Sequence, residues 1–112
     1  MSYVIKGIVI RGDGYGRKIG FPTINLEIED LQKKELPARG VYAGKALIEG
    51  SEYRAGIVVD PNDKVDAHLI GFNGDAYGKI AVLSLEKFIR EYRNFETETD
   101  LINQIKEDIK LC

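Results

Sequence analysis

The sequence predicts a mainly β protein: a small antiparallel barrel of five or six strands, with one α-helix at its C-terminal end. Three observations predict it. Short segments rich in Val, Ile and alternating apolar residues are separated by clusters of Gly, Pro, Asn and Asp, the pattern of strands joined by turns. Several of these segments carry apolar residues on both faces, as strands do when a barrel curls over itself or a helix covers it. The hydrophobic period then changes once, near the end, where Leu101, Ile102, Ile105 and Ile109 fall at helical spacing.

In chain order, residues 3–11 form the first strand, with Gly7 as a bulge or a point of close approach. A glycine-rich loop follows and ends in a short extended piece around residues 23–26. Residues 27–34 carry few apolar side chains and read as a surface loop or a single helical turn. Pro37 and Gly40 punctuate a turn. Residues 41–48 and 52–59 form two strands joined through Glu49-Gly50-Ser51. Asp60-Pro61-Asn62-Asp63 is a turn, because Asp and Asn cap their own backbone and Pro presets φ. Residues 65–70 alternate, which puts Val65, Ala67 and Leu69 on one face and Asp66 and His68 on the other. After the turn at Asn73-Gly74-Asp75, residues 79–88 form a long strand with Ala81, Leu83 and Leu85 on one face. The final helix is expected over residues 99–110, with Thr97 or Thr99 as N-cap and Glu98 and Asp100 suiting the positive end of its dipole. Its apolar stripe reads as core packing.

At 112 residues the chain has the length of a single domain with one modest core. The formal net charge of -2 argues against a nucleic-acid partner, which calls for a strongly basic face. The charge is uneven. Lys6, Arg11, Arg17 and Lys18 stand against Asp13 alone at the N-terminal end, enough to attract a small anion. The lone cysteine, Cys112, excludes an internal disulfide and fits a reducing compartment. The first residues lack the apolar run and cleavage site of a signal peptide, and no window is long enough to cross a bilayer. A soluble, cytoplasmic monomer without membrane association is expected.

The most informative stretch is residues 12–26, GDGYGRKIGFPTINL. Glycine lets backbone N–H groups converge on one point, because no Cβ blocks positive φ or a ligand's approach. Arginine offers a planar fork to phosphate oxygens and lysine a compact charge. Thr23 and Asn25, two apart in an extended segment, point to one side, where their oxygens can meet a hard cation. The stretch therefore reads as a phosphate-and-magnesium cradle, or else as a glycine-rich turn with solvated charges.

These residues, together with Leu36-Pro37-x-x-Gly40-Val41-Tyr42, Asp66-x-His68-Leu69, Asp75-x-Tyr77-Gly78, Phe88-Ile89-Arg90-Glu91-x-x-x-Phe95 and Leu101-x-x-Gln104-Ile105-x-x-Asp108, resemble the riboflavin kinase family. The likeness is to the kinase module of bacterial bifunctional FAD-synthesis enzymes and runs over nearly the whole chain. It implies a small six-stranded antiparallel Greek-key barrel with one C-terminal α-helix. It also implies transfer of the γ-phosphate of ATP, with Mg²⁺, to the ribityl 5′-hydroxyl of riboflavin, giving FMN and ADP. Carried over by position, Gly14, Gly16, Arg17 and Lys18 would lie over the nucleotide phosphates, with Thr23 and Asn25 facing Mg²⁺ and phosphate. Asp66 would be the catalytic base, and Asp75, Arg90 and Glu91 would stand on the flavin side.

The chain departs from the family pattern twice. Asp66 stands where the family has Glu, so its carboxylate reaches about 1–1.5 Å less far, and misplacement of that order can cost about 10²-fold in rate. The connection at residues 59–64 is also shorter than the family's. Both departures motivate a rival reading, a flavin- or nucleotide-binding barrel with little catalysis. A third reading is a piece of a longer bifunctional enzyme.

Overall fold

A computed structural model describes residues 3–12, 14–74 and 76–112. Its strands are β1 (Tyr3–Ile10), β2 (Ile24–Glu27), β3 (Gly40–Ile48), β4 (Ser51–Val59), β5 (Val65–Leu69) and β6 (Ile80–Glu91). They close into an antiparallel barrel in the order β1-β2-β5-β4-β3-β6. Strands β3, β4 and β5 follow one another by tight turns, and β6 returns to lie beside β3, which is the Greek-key arrangement. One-turn helices α1 (Tyr15–Lys18) and α2 (Asp30–Lys33) sit in the connections, and α3 (Glu98–Lys110) follows the barrel.

Alternation decides what fills the barrel. Ile57, Val59, Ala67, Ala81 and Leu83 are wholly buried in its core, with Ile5, Val9, Leu26 and Val65 beside them. Gly7 faces the same interior on β1, where a Cβ would come within 2.5 Å of the Glu27 carbonyl oxygen. The expected close approach is therefore real, and it lets β1 cross β2 tightly. The β4–β5 turn is tied by Asp60, whose Oδ1 accepts from the amides of Asn62 and Lys64 at 2.8 and 3.0 Å.

Two features differ from the sequence expectation. Strand β6 continues past Phe88 to Glu91, because register shifts against β3 between Val41 and Tyr42 and between Ala43 and Gly44 absorb extra residues. Such bulges bend a strand and re-aim its side chains. Here they bring Arg90 opposite Val41. The second difference concerns α3. Thr97 is its N-cap, accepting from the Asp100 amide at 3.1 Å, so the helix starts one residue earlier than expected. Its Leu101, Ile105 and Ile109 stay outside the barrel core and line a cavity against the barrel's outer wall. Among the described residues no helix is long and apolar enough to cross a membrane.

Candidate active site

Strand β2 positions the centre of the site. Ile24 and Leu26 point into the core, so Asn25 points outward, and its cross-strand partner on β5 is Asp66. Asp66 in turn stands opposite Val58 of β4. Thr23 immediately precedes β2. The glycine loop lies directly on this pair. A Cβ at Gly12 would fall 2.7 Å from Cγ of Asn25, and one at Gly16 would fall 2.5 Å from the Phe21 carbonyl and 3.4 Å from Thr23 Oγ1. Close packing against backbone requires glycine at Gly16, whereas a side chain at Gly12 would have to displace the Asn25 amide. Gly14, at φ +75°, is required by conformation. Lys18 donates its backbone N–H to the Gly14 carbonyl at 3.1 Å and Phe21 to that of Gly16 at 2.7 Å, which closes the loop over α1.

His68 secures the other edge of the loop. Its ring nitrogen Nδ1 donates to the Pro22 carbonyl at 2.8 Å, and Phe21 meets the imidazole edge-on with centroids 5.8 Å apart. His68 thereby joins β5 to the segment before β2.

Three cavities converge on this centre, and Thr23 is the lining residue they share. One, of about 340 Å³, is walled by Gly12, Gly14 and Gly16 together with Arg11, Arg17 and Tyr77. Its described charged residues are both arginines, so it favours an anion. The Arg11 guanidinium lies 4.7 Å from the centroid of the Tyr77 ring, a stacking that holds it at the cavity wall. A second cavity, of about 390 Å³, runs from Thr23 and Arg17 past Phe72 to Ala76. The third, of about 500 Å³, is a slot between the outer wall of the barrel and α3. Val41, Val58, Leu101 and Ile105 make its sides apolar, while Asn25, Asp66 and Thr23 stand at one end.

The structure thus brings Gly14, Gly16, Arg17, Thr23, Asn25 and Asp66 around one junction. Lys18 is exposed on α1 and lines none of the three cavities, and the same is true of Glu91 at the end of β6. Asp75 lies outside the described residues. Arg90 does border the slot, but its guanidinium is engaged by Asp108 of α3, with Nη2 to Oδ2 at 2.9 Å and Nε to Oδ1 at 3.1 Å. Asp108 is buried and also accepts from Gln104 at 3.0 Å. Sequence reasoning quoted Asp108 and Gln104 as motif positions without giving them a role. The available signal was their i, i+4 spacing on one helix face. Beyond them, the Cys112 thiol donates to the Asp108 carbonyl and sits 3.4 Å from where a Cβ on Gly56 would be. Burial pushes this thiol's pKa up, the Asp108 carboxylate adds to the shift and Arg54 opposes it.

As for a divalent cation, no cluster of three His, Cys, Asp or Glu residues able to hold a metal occurs among the described residues. The donor set present is instead a hydroxyl, an amide and the space that two glycines leave beside them. That suits a magnesium ion arriving with phosphate oxygens and keeping several waters, which needs few protein ligands.

The class defined by these features is a small Greek-key barrel that holds an anion cavity beside a half-apolar slot, with hydroxyl, amide and carboxylate side chains where they meet. The chain belongs to the riboflavin kinase family: the Flavokinase family model, described as riboflavin kinase, matches residues 1–112. It is 36% identical over 116 residues to the bifunctional riboflavin kinase/FMN adenylyltransferase of Bacillus subtilis (strain 168), covering 95% of this chain and 36% of that protein. The chain therefore spans about a third of that relative's length. A crystal structure of a macrolide-efflux protein from Streptococcus pneumoniae superposes with a TM-score of 0.83 and 29% identity, over 96% of this chain and 37% of that one. Riboflavin kinase from Trypanosoma brucei superposes at 0.79 with 20% identity, over 98% of this chain and 74% of that one, a likeness of fold.

Proposed function

We propose that this chain is a riboflavin kinase domain, transferring the γ-phosphate of ATP to the ribityl 5′-hydroxyl of riboflavin to give FMN and ADP. The observation that carries the reading is the placement of Asp66 opposite Asn25, at the junction of the basic glycine-walled cavity and the half-apolar slot. A polyphosphate in the cavity and a flat ring system in the slot would meet there. Family membership favours this reading over a barrel that only binds flavin or nucleotide.

The chemistry asks mostly for positioning and charge neutralisation. Arg17, with Arg11 on the same cavity wall, neutralises the polyphosphate, and the backbone amides of the glycine loop orient it. Thr23 and Asn25 hold the phosphate end, and they are the side chains that would take Mg²⁺. The ion, when bound, neutralises charge on the phosphate oxygens. The slot's apolar walls hold the isoalloxazine ring and exclude water from it, leaving the ribityl chain to extend toward Asn25. Asp66 accepts a hydrogen bond from the terminal hydroxyl and takes its proton as the oxygen attacks phosphorus. The reading includes a cytoplasmic location, where ATP is available, and one kinase domain over residues 1–112 acting as a monomer.

The test is direct. Purified protein incubated with ATP, MgCl₂ and riboflavin should yield FMN, separable from riboflavin by reverse-phase chromatography. No FMN with any nucleoside triphosphate would sink the reading.

A further inference from the structure

The least exposed ion pair among the described residues lies at the far end of the slot from Asp66 and joins β6 to α3. Arg90 and Asp108 are 20% and 9% exposed in their side chains, where every other pair has both partners at 37% or more. Arg90 donates through Nε and Nη2 to the two carboxylate oxygens, and through Nη1 to the Glu91 carbonyl at 3.2 Å. Each of its three nitrogens is engaged. A second line of contacts runs parallel to it. Arg93 donates to Gln104 at 2.7 Å and Gln104 donates to Asp108, while the guanidinium groups of Arg90 and Arg93 both stack on the Phe95 ring, at 5.6 and 4.9 Å.

Ordinary packing supplies only part of what sets the position of α3, because the helix borders a cavity of about 500 Å³ and its apolar stripe is only half-buried. A helix held by side-chain interdigitation takes its distance from the facing ridges. Here the facing surface is partly absent, and a directional contact must supply the register. A buried ion pair is well suited to that, since its net stabilisation is small while its geometry is specific. We propose that Arg90 is a positioning residue which, through Asp108, holds α3 at the spacing the slot needs to accept a flavin ring, without itself touching the ring. This rests on the flavin reading of the slot.

The two can be tested separately, because Cys112 is the only cysteine and lies at the end of α3 against Gly56. Its reaction with a water-soluble aromatic disulfide, taken per thiolate from the pH dependence of the rate so that any change in thiol ionisation is removed, reports undocking of the helix with no ligand present. Asp108→Asn keeps the side-chain shape and removes the charge. It should raise the Cys112 reaction rate and weaken riboflavin binding, followed by quenching of flavin fluorescence, by about tenfold. The KM for ATP should stay within about twofold, because the nucleotide cavity is at the other end. Arg90→Lys should do the same in lesser degree, and Gln104→Ala, which leaves the ion pair in place, still less. This graded set keeps the test decisive should Asp108→Asn fold poorly. Unchanged flavin affinity across the folded variants overturns the proposal, whether or not Cys112 becomes more reactive. An equal loss of ATP and riboflavin affinity also overturns it, since that is general destabilisation. Wild-type protein that binds no riboflavin defeats the flavin reading itself, and with it the role of the slot, even where Cys112 still reports the clasp.

Discussion

Asn25 and Asp66 are cross-strand partners on the outer face of the barrel, one on β2 and the other on β5. Side chains directly opposite in an antiparallel pair have Cβ atoms about 5 Å apart. An amide that can face phosphate and a carboxylate that can face a hydroxyl therefore stand as neighbours on a rigid sheet, although forty residues of chain separate them. A sheet holds such a pair more closely than two loops could.

From this pair follows the first prediction. Asp66→Asn retains the shape and loses the base, so kcat should fall by about 10²–10⁴-fold with the KM for ATP little changed. Asp66→Glu keeps a carboxylate on the same strand and should remain active. Steady-state FMN formation checks both, and an Asn variant as active as wild type would remove Asp66 from the chemistry.

Gly16→Ala should be more damaging than its one added methyl implies. The new Cβ would be 2.5 Å from the Phe21 carbonyl, a backbone atom that cannot swing aside, so the loop must shift off Thr23. Overpacking of this kind costs about 1–3 kcal/mol. The expected result is a raised KM for ATP and a lowered melting temperature, with riboflavin affinity retained. Gly14→Ala meets no neighbour but is strained by its φ of +75°.

His68 lines the slot on the same strand face as Asp66, with its Nδ1 committed to the Pro22 carbonyl. His68→Ala removes the hydrogen bond to Pro22 and the edge contact with Phe21, costing about 1 kcal/mol for the bond. Loosening the entry to Thr23 should raise the KM for ATP while leaving the pH profile of turnover as it was. A change in that profile would instead give the imidazole a role in proton transfer. His68→Asn, which can still donate to the carbonyl, should restore part of the loss.

The alkaline side of the stability curve follows from two acids kept neutral by the fold. Burial raises the pKa of Cys112, and burial followed by repulsion from Tyr3 raises that of Tyr42, whose hydroxyl donates to the Ala38 carbonyl. For a group whose folded pKa exceeds its unfolded one, the stabilisation is complete below the unfolded value and is lost as pH rises toward the folded value. The unfolded thiol titrates at about 8.5 and the unfolded phenol at about 10, so melting temperatures should decline from there upward. Alkylation of Cys112 by iodoacetamide should show a midpoint above 8.5, the ordinary thiol value. Asp108→Asn should lower that midpoint, because the Asp108 carboxylate contributes to the shift.

Much of the fold was legible in the sequence because its signals are local. The turn at Asp60-Pro61-Asn62-Asp63, the alternation through Val65-Asp66-Ala67-His68-Leu69 and the helical spacing near the end each act within a few residues, and the corresponding elements formed. Less legible was anything that depended on register. The shifts that carry β6 on to Glu91 leave no mark in its composition, and without them Arg90 reads as a free cation beside a substrate. Asp108 falls on the same face of α3 as Leu101 and Ile105, yet as a carboxylate it looks solvated until β6 is placed against it.

By itself the sequence determined a barrel with one terminal helix, a glycine loop leading into Pro-Thr-Ile-Asn, Thr23 and Asn25 on one side of that segment, and Asp66 on the strand face opposite Val65, Ala67 and Leu69. Alternation and turn chemistry decide these over a few residues, whatever the rest of the chain does. Only the tertiary structure decided that Asn25 faces Asp66, that Gly12 and Gly16 pack on Asn25 and Thr23, and that Arg90 is committed to Asp108. Those relationships depend on strand order, barrel closure and the bulges between β3 and β6. They are long-range pairings, whose energy is shared across the whole sheet and written in no single segment of it.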